Sequence, residues 1–241
     1  VADAIITGAG AFDGAGGQVA SAGDYNLDGL QDVLISAPGH NGANADSGAV
    51  YLLLGPISGT VDASFAASAE FQGVQSNGRA GASLASGDVD GDGQSDLALG
   101  APGGGGAGEG SAYLVAGMAN GVVDLAAATA VFTGEQTGDL AGASLAIVDL
   151  DGDLNAEVII GAPLAWGTGA AYVFFGPVVG AIDVVDAPAR IFGEQPGDLA
   201  GTAVAAGGDL FGTGVGTLLI GAPGADNFQP DAGAIYLFPG I

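Results

Sequence analysis

An acidic segment of nine residues followed by a short apolar run occurs four times in this chain, and the copies begin 60 to 64 residues apart. The clearest copy runs from Asp88 to Asp96 and leads into apolar residues 97–99 and a Gly-Ala-Pro triplet at 100–102. The other copies begin at Asp24, Asp149 and Asp209. A fixed period of this length indicates a repeat architecture in which every repeat supplies one small unit of secondary structure.

Each repeat contains four short β-like runs separated by turn residues. The first run is rich in small residues, the second follows the acidic segment, the third carries a tyrosine and the fourth ends near a glycine. The apolar runs are only about four to six residues long, and Gly and β-branched residues break every helical window. The pattern predicts an all-β fold, a four-bladed β-propeller of four-stranded antiparallel blades.

The order of the runs also predicts how the ring closes. The chain begins with a fourth-type run at residues 4–7 and finishes with a third-type run at 234–238. We therefore expect the N-terminal strand to complete the last blade beside residues 235–238, because closure removes exposed strand edges. The expected organisation is one domain over residues 1–241, with repeats at about 8–73, 74–134, 135–193 and 194–241 and a closing strand at 1–7.

The net charge excludes several classes of partner. The 241 residues include 27 acidic and 2 basic side chains, which gives a formal charge of −25. Nucleic acids and anionic membrane surfaces are bound through Lys and Arg, so neither is an expected partner. The surplus of acid suits a high-salt setting, a cationic partner or simple solubility. There is no cysteine, and no apolar run approaches the roughly 18 residues of a membrane span.

The acidic segments, here called loops 1 to 4 (residues 24–32, 88–96, 149–157 and 209–217), have the spacing of a calcium loop. Oxygen-bearing side chains at positions 1, 3, 5 and 9 can converge around a tight turn, and the backbone carbonyl at position 7 adds a ligand. An EF-hand is excluded, because position 12 is apolar in every loop instead of Glu. The alternative is an Asx-rich hairpin that turns without metal.

Three loops keep enough oxygen ligands to hold an ion. The expected ligands are Asp24, Asn26, Asp28, Leu30 and Asp32 in loop 1, Asp88, Asp90, Asp92, Gln94 and Asp96 in loop 2, and Asp149, Asp151, Asp153, Asn155 and Glu157 in loop 3, with Leu30, Gln94 and Asn155 acting through their carbonyls. The larger, geometrically tolerant Ca²⁺ suits such a cage better than Mg²⁺. We expect about three structural Ca²⁺ ions.

Loops 3 and 4 depart from this pattern. Leu154 stands at position 6 of loop 3, where loops 1 and 2 have a glycine that permits positive φ, so we expect a changed turn or weaker binding there. Loop 4 keeps only Asp209 of the acids, and Phe211 occupies position 3. We expect Phe211 to pack inward and replace the ion with apolar contacts.

The repeats resemble the FG-GAP family, which forms the propeller headpiece of integrin α subunits. The matching residues are Phe71/Gly73, Phe132/Gly134, Phe192/Gly193, the Gly-Ala-Pro triplets 100–102, 161–163 and 221–223, and the acidic loops between them, with Ser36 and Ile6/Gly8 as first-repeat variants. The resemblance covers essentially the whole chain. It implies a β-propeller with Ca²⁺ in the hairpin between the first and second strands of a blade, and a role in adhesion or binding.

The number of repeats differs from that of the family's integrin members. Integrin headpieces carry seven repeats and this chain has four. The difference leaves open a compact four-bladed ring, a fragment of a longer protein, or two chains that form an eight-bladed ring.

Several other residues have side chains that are common in catalytic or binding sites. His40, the sole histidine, has no partner suggested by a pattern, and we expect a surface residue. Trp166 and Phe228 lie in variable loops and could form a rim that binds a sugar or a protein side chain, although local packing is the alternative. Glu135 and Glu194, with Asp139 and Asp198, resemble a glycosidase acid pair, but their recurrence favours turn capping. The equivalent Tyr51, Tyr113, Tyr172 and Tyr236 are expected in the core.

The leading hypothesis is a non-enzymatic, extracellular or cell-surface, Ca²⁺-stabilised propeller that acts as an adhesion or ligand-binding module. A protein or glycan ligand would bind the rim opposite the acidic loops, at residues 39–47, 103–109, 164–168 and 224–231, because these loops vary most between repeats. One alternative is an enzyme or accessory domain acting on polysaccharide or phosphodiester, and another is a structural spacer. A monomer is expected, with a dimer that forms a larger ring as the alternative.

Overall fold

The computed structural model describes residues 3–226, 229 and 232–240. Phe228, one of the two expected rim aromatics, lies outside the described residues. No helix among the described residues is long and apolar enough to cross a membrane.

Nineteen short strands make up most of the regular structure in the described part of the chain. They are β1 (Ala4–Thr7), β2 (Val19–Gly23), β3 (Asp32–Ala37), β4 (Ala49–Leu53), β5 (Gly59–Asp62), β6 (Ala69–Gln72), β7 (Ser83–Gly87), β8 (Asp96–Ala101), β9 (Ser111–Val115), β10 (Gly121–Asp124), β11 (Ala130–Thr133), β12 (Ser144–Val148), β13 (Glu157–Ala162), β14 (Ala170–Phe174), β15 (Gly180–Asp183), β16 (Ala189–Phe192), β17 (Ala203–Gly207), β18 (Thr217–Ala222) and β19 (Ala234–Pro239). The expected all-β class is therefore confirmed.

Each repeat folds as an antiparallel meander. The strand orders are β2-β3-β4-β6, β7-β8-β9-β11, β12-β13-β14-β16 and β17-β18-β19. The expected four runs of repeats 1 to 3 pair in sequence order, and the fourth repeat supplies three strands among the described residues. The Ala-Pro that follows each second strand ends the ladder, since proline cannot donate a backbone hydrogen bond.

Repeats 1 to 3 each contain a fifth strand that the sequence analysis did not predict. β5, β10 and β15 each leave the meander and pair in parallel with an earlier strand: β10 and β15 with β6 and β11, the last strands of the preceding meanders, and β5 with β1. Each ends at an aspartate whose carboxylate caps a short helical segment at Ala63–Ala66, Leu125–Ala127 or Val184–Asp186. The caps accept amide hydrogen bonds at about 3 Å, which satisfies a donor that would otherwise be unpaired.

The expected closure of the ring by the N-terminal strand is wrong for this structure. β1 forms a parallel ladder with β5, from Ala4 opposite Gly59 to Thr7 opposite Asp62. Among the described residues, β19 forms a ladder with β18 and with no other strand. β1 repeats the pairing that β6 makes with β10, and Ile6, Ile57 and Val61 all pack against the buried cluster beside the first sheet. The meander pattern identified β1 as a fourth-type strand but did not reveal this parallel partner.

The core is divided into layers between successive sheets. One buried cluster joins repeats 1 and 2, another joins repeats 2 and 3, and a third joins repeats 3 and 4. The inner strands pack in the order β2, β7, β12, β17, and no contact of similar extent returns from β17 to β2 among the described residues. A strand is buried on both faces only where other elements pack against both, as for β4, whose residues divide between the cluster shared with repeat 2 and the cluster that contains Ala63. Strand β14, for example, is buried throughout, whereas β19 alternates between half-buried and exposed residues.

Candidate metal centre

The acidic loops all lie at the same end of the sheets. Each connects the first and second strands of its meander: loop 1 joins β2 to β3, loop 2 joins β7 to β8, loop 3 joins β12 to β13 and loop 4 joins β17 to β18. This is the position that the FG-GAP resemblance implies. The strands fix both ends of every loop, so that nine residues must reverse the chain direction within a short span.

Loop 2 brings three of its carboxylates together. Oxygen atoms of Asp88, Asp90 and Asp92 all lie within 4.8 Å of one another. Asp90 and Asp92 are exposed and Asp88 is half-buried. Three negative charges at this separation repel one another, and a divalent cation among them would remove that repulsion.

Loop 3 repeats the arrangement despite its altered sequence. Asp149, Asp151 and Asp153 also place oxygen atoms within 4.8 Å of one another. In loop 1 the middle residue is Asn26, whose amide donates to Asp28 at 2.9 Å. Positions 1, 3 and 5 therefore converge in loops 2 and 3, and positions 3 and 5 are in contact in loop 1.

The first aspartate of each loop organises the turn through backbone hydrogen bonds. Asp88 accepts from the amides of Gly91 at 2.7 Å, Asp92 at 3.1 Å and Gly93 at 2.8 Å. Asp24 accepts from Asp28 and Gly29, each at 2.9 Å. These amide donors hold the carboxylate in place and offset part of its charge, which orients it for a cation.

Position 6 has a left-handed backbone in every loop. The φ angles are 88° at Gly29, 87° at Gly93, 75° at Leu154 and 88° at Gly214. Glycine adopts this conformation without a steric cost, whereas a leucine does not. The expectation of a changed turn in loop 3 is therefore wrong: the turn is kept, and the exposed Leu154 adopts the same strained conformation as the glycines.

The acid at position 9 lies deeper than the others. Asp32 is fully buried, and its two oxygens accept from the amides of Tyr25 at 2.9 Å and Gly55 at 2.8 Å. Asp96 accepts in the same way from Val89 and Gly117. The position-9 acids thus fasten the base of the hairpin to the rest of the sheet, and they are not part of the clusters at positions 1, 3 and 5.

Burial makes two of the position-9 acids, Asp96 and Glu157, costly to ionise without a cation. It raises the pKa of Asp96 to about 6, although hydrogen bonds from Val89 and Gly117 oppose the shift. Burial raises the pKa of Glu157 to about 7, and the nearby carboxylates Asp151, Asp149 and Asp153 add to the shift. A divalent ion beside these groups would favour their charged forms.

The position-7 residues have a defined place in the turn. The amides of Leu30, Gln94 and Asn155 donate to the position-5 carboxylates at 2.8, 2.7 and 2.7 Å. Coordination through their carbonyls stays a prediction. The described donor set is carboxylate and amide oxygen without nitrogen or sulfur, which is the chemistry that Ca²⁺ prefers.

Loop 4 forms the same turn without the acidic cluster. Asp209 accepts from the amides of Thr213 and Gly214, each at 2.8 Å. Phe211 is 52% exposed, so the expectation that it packs inward is wrong. The turn therefore depends on the first aspartate and the position-6 backbone, and the remaining acids of loops 1 to 3 are not required for its shape.

Adjacent loops are hydrogen-bonded to one another. The carbonyl of Asp88 in loop 2 accepts from the amide of Ala156 in loop 3 at 2.8 Å, and the carbonyl of Asp149 accepts from Gly216 in loop 4 at 2.9 Å. A cation that fixes the first aspartate of one loop would therefore also hold the neighbouring repeat.

The end of the sheets opposite the acidic loops has a depression lined by two aromatic side chains. Trp166 is 54% exposed and meets Phe192 edge-on, with ring centroids 6.2 Å apart. Together with Thr168, Arg190 and Gly193 they line an open depression of about 420 Å³. Phe192 is 40% exposed. The equivalent Phe132 is buried in the cluster that also contains Phe174 and Val184 of the next repeat.

His40 has partners that sequence patterns did not reveal. Its Nδ1 lies 3.1 Å from Asp13, its Nε2 lies 3.7 Å from Glu70, and its ring meets Tyr51 edge-on at 6.4 Å. The side chain is only 18% exposed, so the expectation of a surface residue is wrong. The two acids are 27 and 30 residues from His40 along the chain, and only the fold brings them together.

The remaining acids have structural roles. Asp139 accepts from the amide of Gln136 at 2.9 Å, and Asp198 accepts from Glu194 and Gln195 at 2.9 Å. Turn capping, the favoured interpretation of this repeated feature, is confirmed for the two aspartates, whereas one carboxylate oxygen of Glu135 is buried without a hydrogen-bond partner in the described part of the chain. Tyr51, Tyr113 and Tyr172 are buried as expected, and Tyr236 is half-buried in the last sheet.

Comparison with known protein families assigns two of the four repeats to a family. The FG-GAP repeat family matches residues 15–53 and 80–115, which contain loops 1 and 2 with the strands on either side. The resemblance to FG-GAP repeats is therefore confirmed.

The similar curated proteins fall into two groups. The chain is 36% identical over 102 residues to integrin alpha-PS5 of Drosophila melanogaster, which covers 40% of this chain and 9% of the relative. It is 39% identical over 114 residues to integrin alpha-5 of Xenopus laevis, covering 44% and 10%. It is 33% identical over 162 residues to phosphatidylinositol-glycan-specific phospholipase D of Rattus norvegicus, covering 64% and 19%. The chain thus spans a fifth or less of the length of these relatives.

Proposed function

We propose that this chain, which carries FG-GAP repeats of the kind found in integrin α subunits, is a calcium-binding module of propeller type that serves adhesion or ligand recognition outside the cell. The observation that carries the proposal is the pair of carboxylate clusters at Asp88/Asp90/Asp92 and Asp149/Asp151/Asp153. Extracellular calcium modules work at dissociation constants of about 10⁻⁴–10⁻³ M, which exposed loops of this kind can supply.

The charge of the chain favours cation binding. Three Ca²⁺ ions would offset six of the 25 excess negative charges, at the points where the carboxylates are closest. The neighbouring loops are joined by hydrogen bonds from Ala156 to Asp88 and from Gly216 to Asp149. A structural role for the ions follows from this arrangement, because the ions in loops 2 and 3 would each stabilise a junction between two repeats as well as their own hairpins.

Calcium binding is tested by calorimetric titration of the metal-free chain. The loop 2 variant Asp90→Asn/Asp92→Asn should lose one of about three sites, because two of its carboxylate ligands become neutral. The matched control, Asp3→Asn/Asp186→Asn, removes the same number of exposed charges away from the loops and should keep every site. Equal binding by the two variants would contradict the assignment of loop 2.

The surface proposed for ligand recognition is the rim depression at Trp166 and Phe192. An exposed indole beside a second ring and the guanidinium of Arg190 offers stacking to a sugar face or to a protein side chain. Arg190 is one of only two basic residues in the chain. Exposed aromatic and arginine side chains are the residue types that dominate binding energy in protein interfaces.

The ligand is sought on a glycan array and with extracellular-matrix proteins. Trp166→Ala should weaken any rim-dependent binding by more than tenfold, which corresponds to about 1.4 kcal/mol or more. Phe65→Ala is the matched control, because Phe65 is 92% exposed and lies outside the depression. Binding that survives Trp166→Ala unchanged would place the ligand elsewhere.

A second candidate function has support from the phospholipase D similarity, which covers 64% of this chain. On that hypothesis the repeats belong to an enzyme that acts on a phosphodiester, either as its catalytic part or as an accessory domain. The two ring nitrogens of His40 face the carboxylates of Asp13 and Glu70, and the chain has no cysteine. A phosphodiesterase assay with and without Ca²⁺ separates the candidates: turnover by the 241-residue chain would favour the second one.

A further inference from the structure

The second residue of loops 1 to 3 packs in the layer between its own repeat and the next one. Tyr25 belongs to the buried cluster that joins repeats 1 and 2, Val89 to the cluster that joins repeats 2 and 3, and Leu150 to the cluster that joins repeats 3 and 4. These side chains are 2%, 1% and 4% exposed. Only the tyrosine carries a polar group, and burial of a hydroxyl costs free energy unless it is hydrogen-bonded.

The first junction between repeats lacks a backbone bond that the later junctions have. At position 8 of loop 3, the amide of Ala156 donates to the carbonyl of Asp88 in loop 2 at 2.8 Å, and loops 3 and 4 are joined in the same way. The equivalent residues of loops 2 and 1 are Ser95 and Asp24. No backbone hydrogen bond joins these two residues, both of which belong to the described part of the chain. Loops 1 and 2 therefore need a different connection.

The turn that follows the third strand of a repeat is also placed differently at the first junction. Gly176 follows β14 and Gly240 follows β19, and a Cβ added at these glycines would collide with the carbonyls of Val89 and Leu150 in the preceding repeat. Gly117 holds the same place after β9, but among the described residues no atom lies within 4 Å of a Cβ built there. The later junctions are thus closed by backbone contact, and at the first one there is space around this turn.

The hydroxyl of Tyr25 connects loop 1 to this turn of the second repeat. It donates to the carbonyl of Gly117 at 2.6 Å and accepts from the amide of Ala119 at 2.9 Å. Gly117 is 92 residues from Tyr25 along the chain, so that only the packing of the repeats brings them together. The side chain therefore supplies the connection between loops 1 and 2 that backbone bonds supply at the later junctions.

Both ends of this connection reach a position-9 acid. The backbone amide of Tyr25 donates to Asp32, the position-9 acid of loop 1, at 2.9 Å. The amide of Gly117 donates to Asp96, the position-9 acid of loop 2, at 3.2 Å. Both aspartates are fully buried, and both are expected ligands of their loops. One continuous series of hydrogen bonds therefore runs from Asp32 through Tyr25 and Gly117 to Asp96.

We propose that Tyr25 is a positioning residue that couples calcium binding in loop 1 to calcium binding in loop 2. The inference rests on the calcium binding proposed above. When Asp32 is held by a bound ion, the Tyr25 backbone and its hydroxyl are held with it. The hydroxyl then fixes the turn whose Gly117 amide orients Asp96 in the second loop. Coupling between two binding sites is reciprocal, so occupation of loop 2 favours loop 1 by the same factor.

The coupling is measured by calorimetric titration of Ca²⁺ into chains with selected loops disabled. Each loop is disabled by changing two of its expected ligands: Asn26→Ala/Asp28→Asn in loop 1, Asp90→Asn/Asp92→Asn in loop 2 and Asp151→Asn/Asp153→Asn in loop 3. With loop 3 disabled, the titration gives the overall association constant for loops 1 and 2. Disabling one more loop gives the constant of each single loop. The overall constant divided by the product of the single constants is the coupling factor, which should be about fivefold or more.

The variant Tyr25→Phe removes the connecting hydroxyl and keeps the buried ring. It should bring the coupling factor close to one while both loops still bind calcium. Tyr51→Phe is the matched control, because Tyr51 is also buried and its hydroxyl has no hydrogen-bond partner among the described residues. This control should leave the coupling factor unchanged.

Amide hydrogen exchange gives a second readout that does not depend on binding constants. In a chain with loops 2 and 3 disabled, Ca²⁺ added to loop 1 should slow the exchange of the Gly117 and Ala119 amides, although both lie in the second repeat. Tyr25→Phe should remove this slowing, and Tyr51→Phe should keep it.

The outcomes separate this inference from the proposed function. Two calcium sites with a coupling factor near one, or a factor that Tyr25→Phe leaves unchanged, would overturn the coupling and leave calcium binding intact. Exchange of the Ala119 amide that is equally fast with and without calcium in loop 1 would overturn it as well. A chain that binds no calcium at all would overturn both the proposed function and the coupling.

Discussion

Leu154 and Gly93 occupy the same position in two hairpins and adopt the same left-handed backbone, with φ of 75° and 87°. The leucine side chain is 77% exposed and gains little from packing. Loop 3 therefore bears a conformational cost that loop 2 avoids, yet it brings its three aspartates together equally well.

Replacing Leu154 with glycine should stabilise the protein. Relief of the left-handed strain should raise the free energy of unfolding by about 1 kcal/mol. Urea unfolding in EDTA measures the change without a contribution from metal. The reciprocal variant Gly93→Leu should lose a similar amount, and a stabilising effect of Gly93→Leu would contradict the strain argument.

Removal of calcium should lower the melting temperature of the wild-type chain. The carboxylates at positions 1, 3 and 5 would then repel one another, and the linked hairpins would lose their cross-links. Thermal unfolding followed by circular dichroism with EDTA, and after addition of excess Ca²⁺, measures the shift. Added Mg²⁺ should restore much less of the lost melting temperature than Ca²⁺ does, because Ca²⁺ better tolerates a cage made only of protein oxygens. An unchanged melt in EDTA would argue against structural ions.

Asp96→Ala should destabilise even the metal-free protein. Two amides, those of Val89 and Gly117, would lose their acceptor, and the former is buried. The expected loss in the free energy of unfolding is about 1–3 kcal/mol. Asp90→Ala in EDTA is the comparison, because Asp90 is exposed and its loss should stay within about 0.5 kcal/mol. Equal effects would mean that the position-9 acid has no special structural role.

The stability of the metal-free protein should fall as the pH rises from about 4.5 to about 7. In that window folded Glu157 keeps a proton that the unfolded chain releases, because burial raises its pKa from the usual 4.5 to about 7. Raising the pH therefore favours unfolding. Urea unfolding across this range in EDTA should show a shallower slope for Glu157→Gln than for the wild type. Identical slopes would mean that Glu157 titrates normally.

Much of the fold could be predicted because the repeat period, the short apolar runs and the turn residues agree with one another. The hairpin position of the acidic loops and the need for positive φ at Gly93 followed from spacing alone. The parallel strands β5, β10 and β15 were missed, although Gly-x-Val/Ile-Asp recurs at 59–62, 121–124 and 180–183. Their partners belong to the preceding repeat, and a pattern within one repeat contains no information about that pairing.

The candidate site was predictable in its composition but less so in its geometry. Spacing grouped the acids at positions 1, 3, 5 and 9, but it did not reveal that backbone amides hold Asp32 and Asp96 at the hairpin base. The cost of ionising Glu157 comes from burial, which spacing does not measure. The partners of His40 likewise come from distant parts of the chain.

Diffraction from crystals grown in calcium tests the central claim most directly. Anomalous difference maps should show one peak in each of loops 1, 2 and 3, with the loop 2 peak among Asp88, Asp90 and Asp92 at about 2.3–2.6 Å from their oxygens. Loop 4, which keeps only Asp209, should show none. Maps without a peak among the three loop 2 carboxylates, in crystals that contain calcium, would contradict the account.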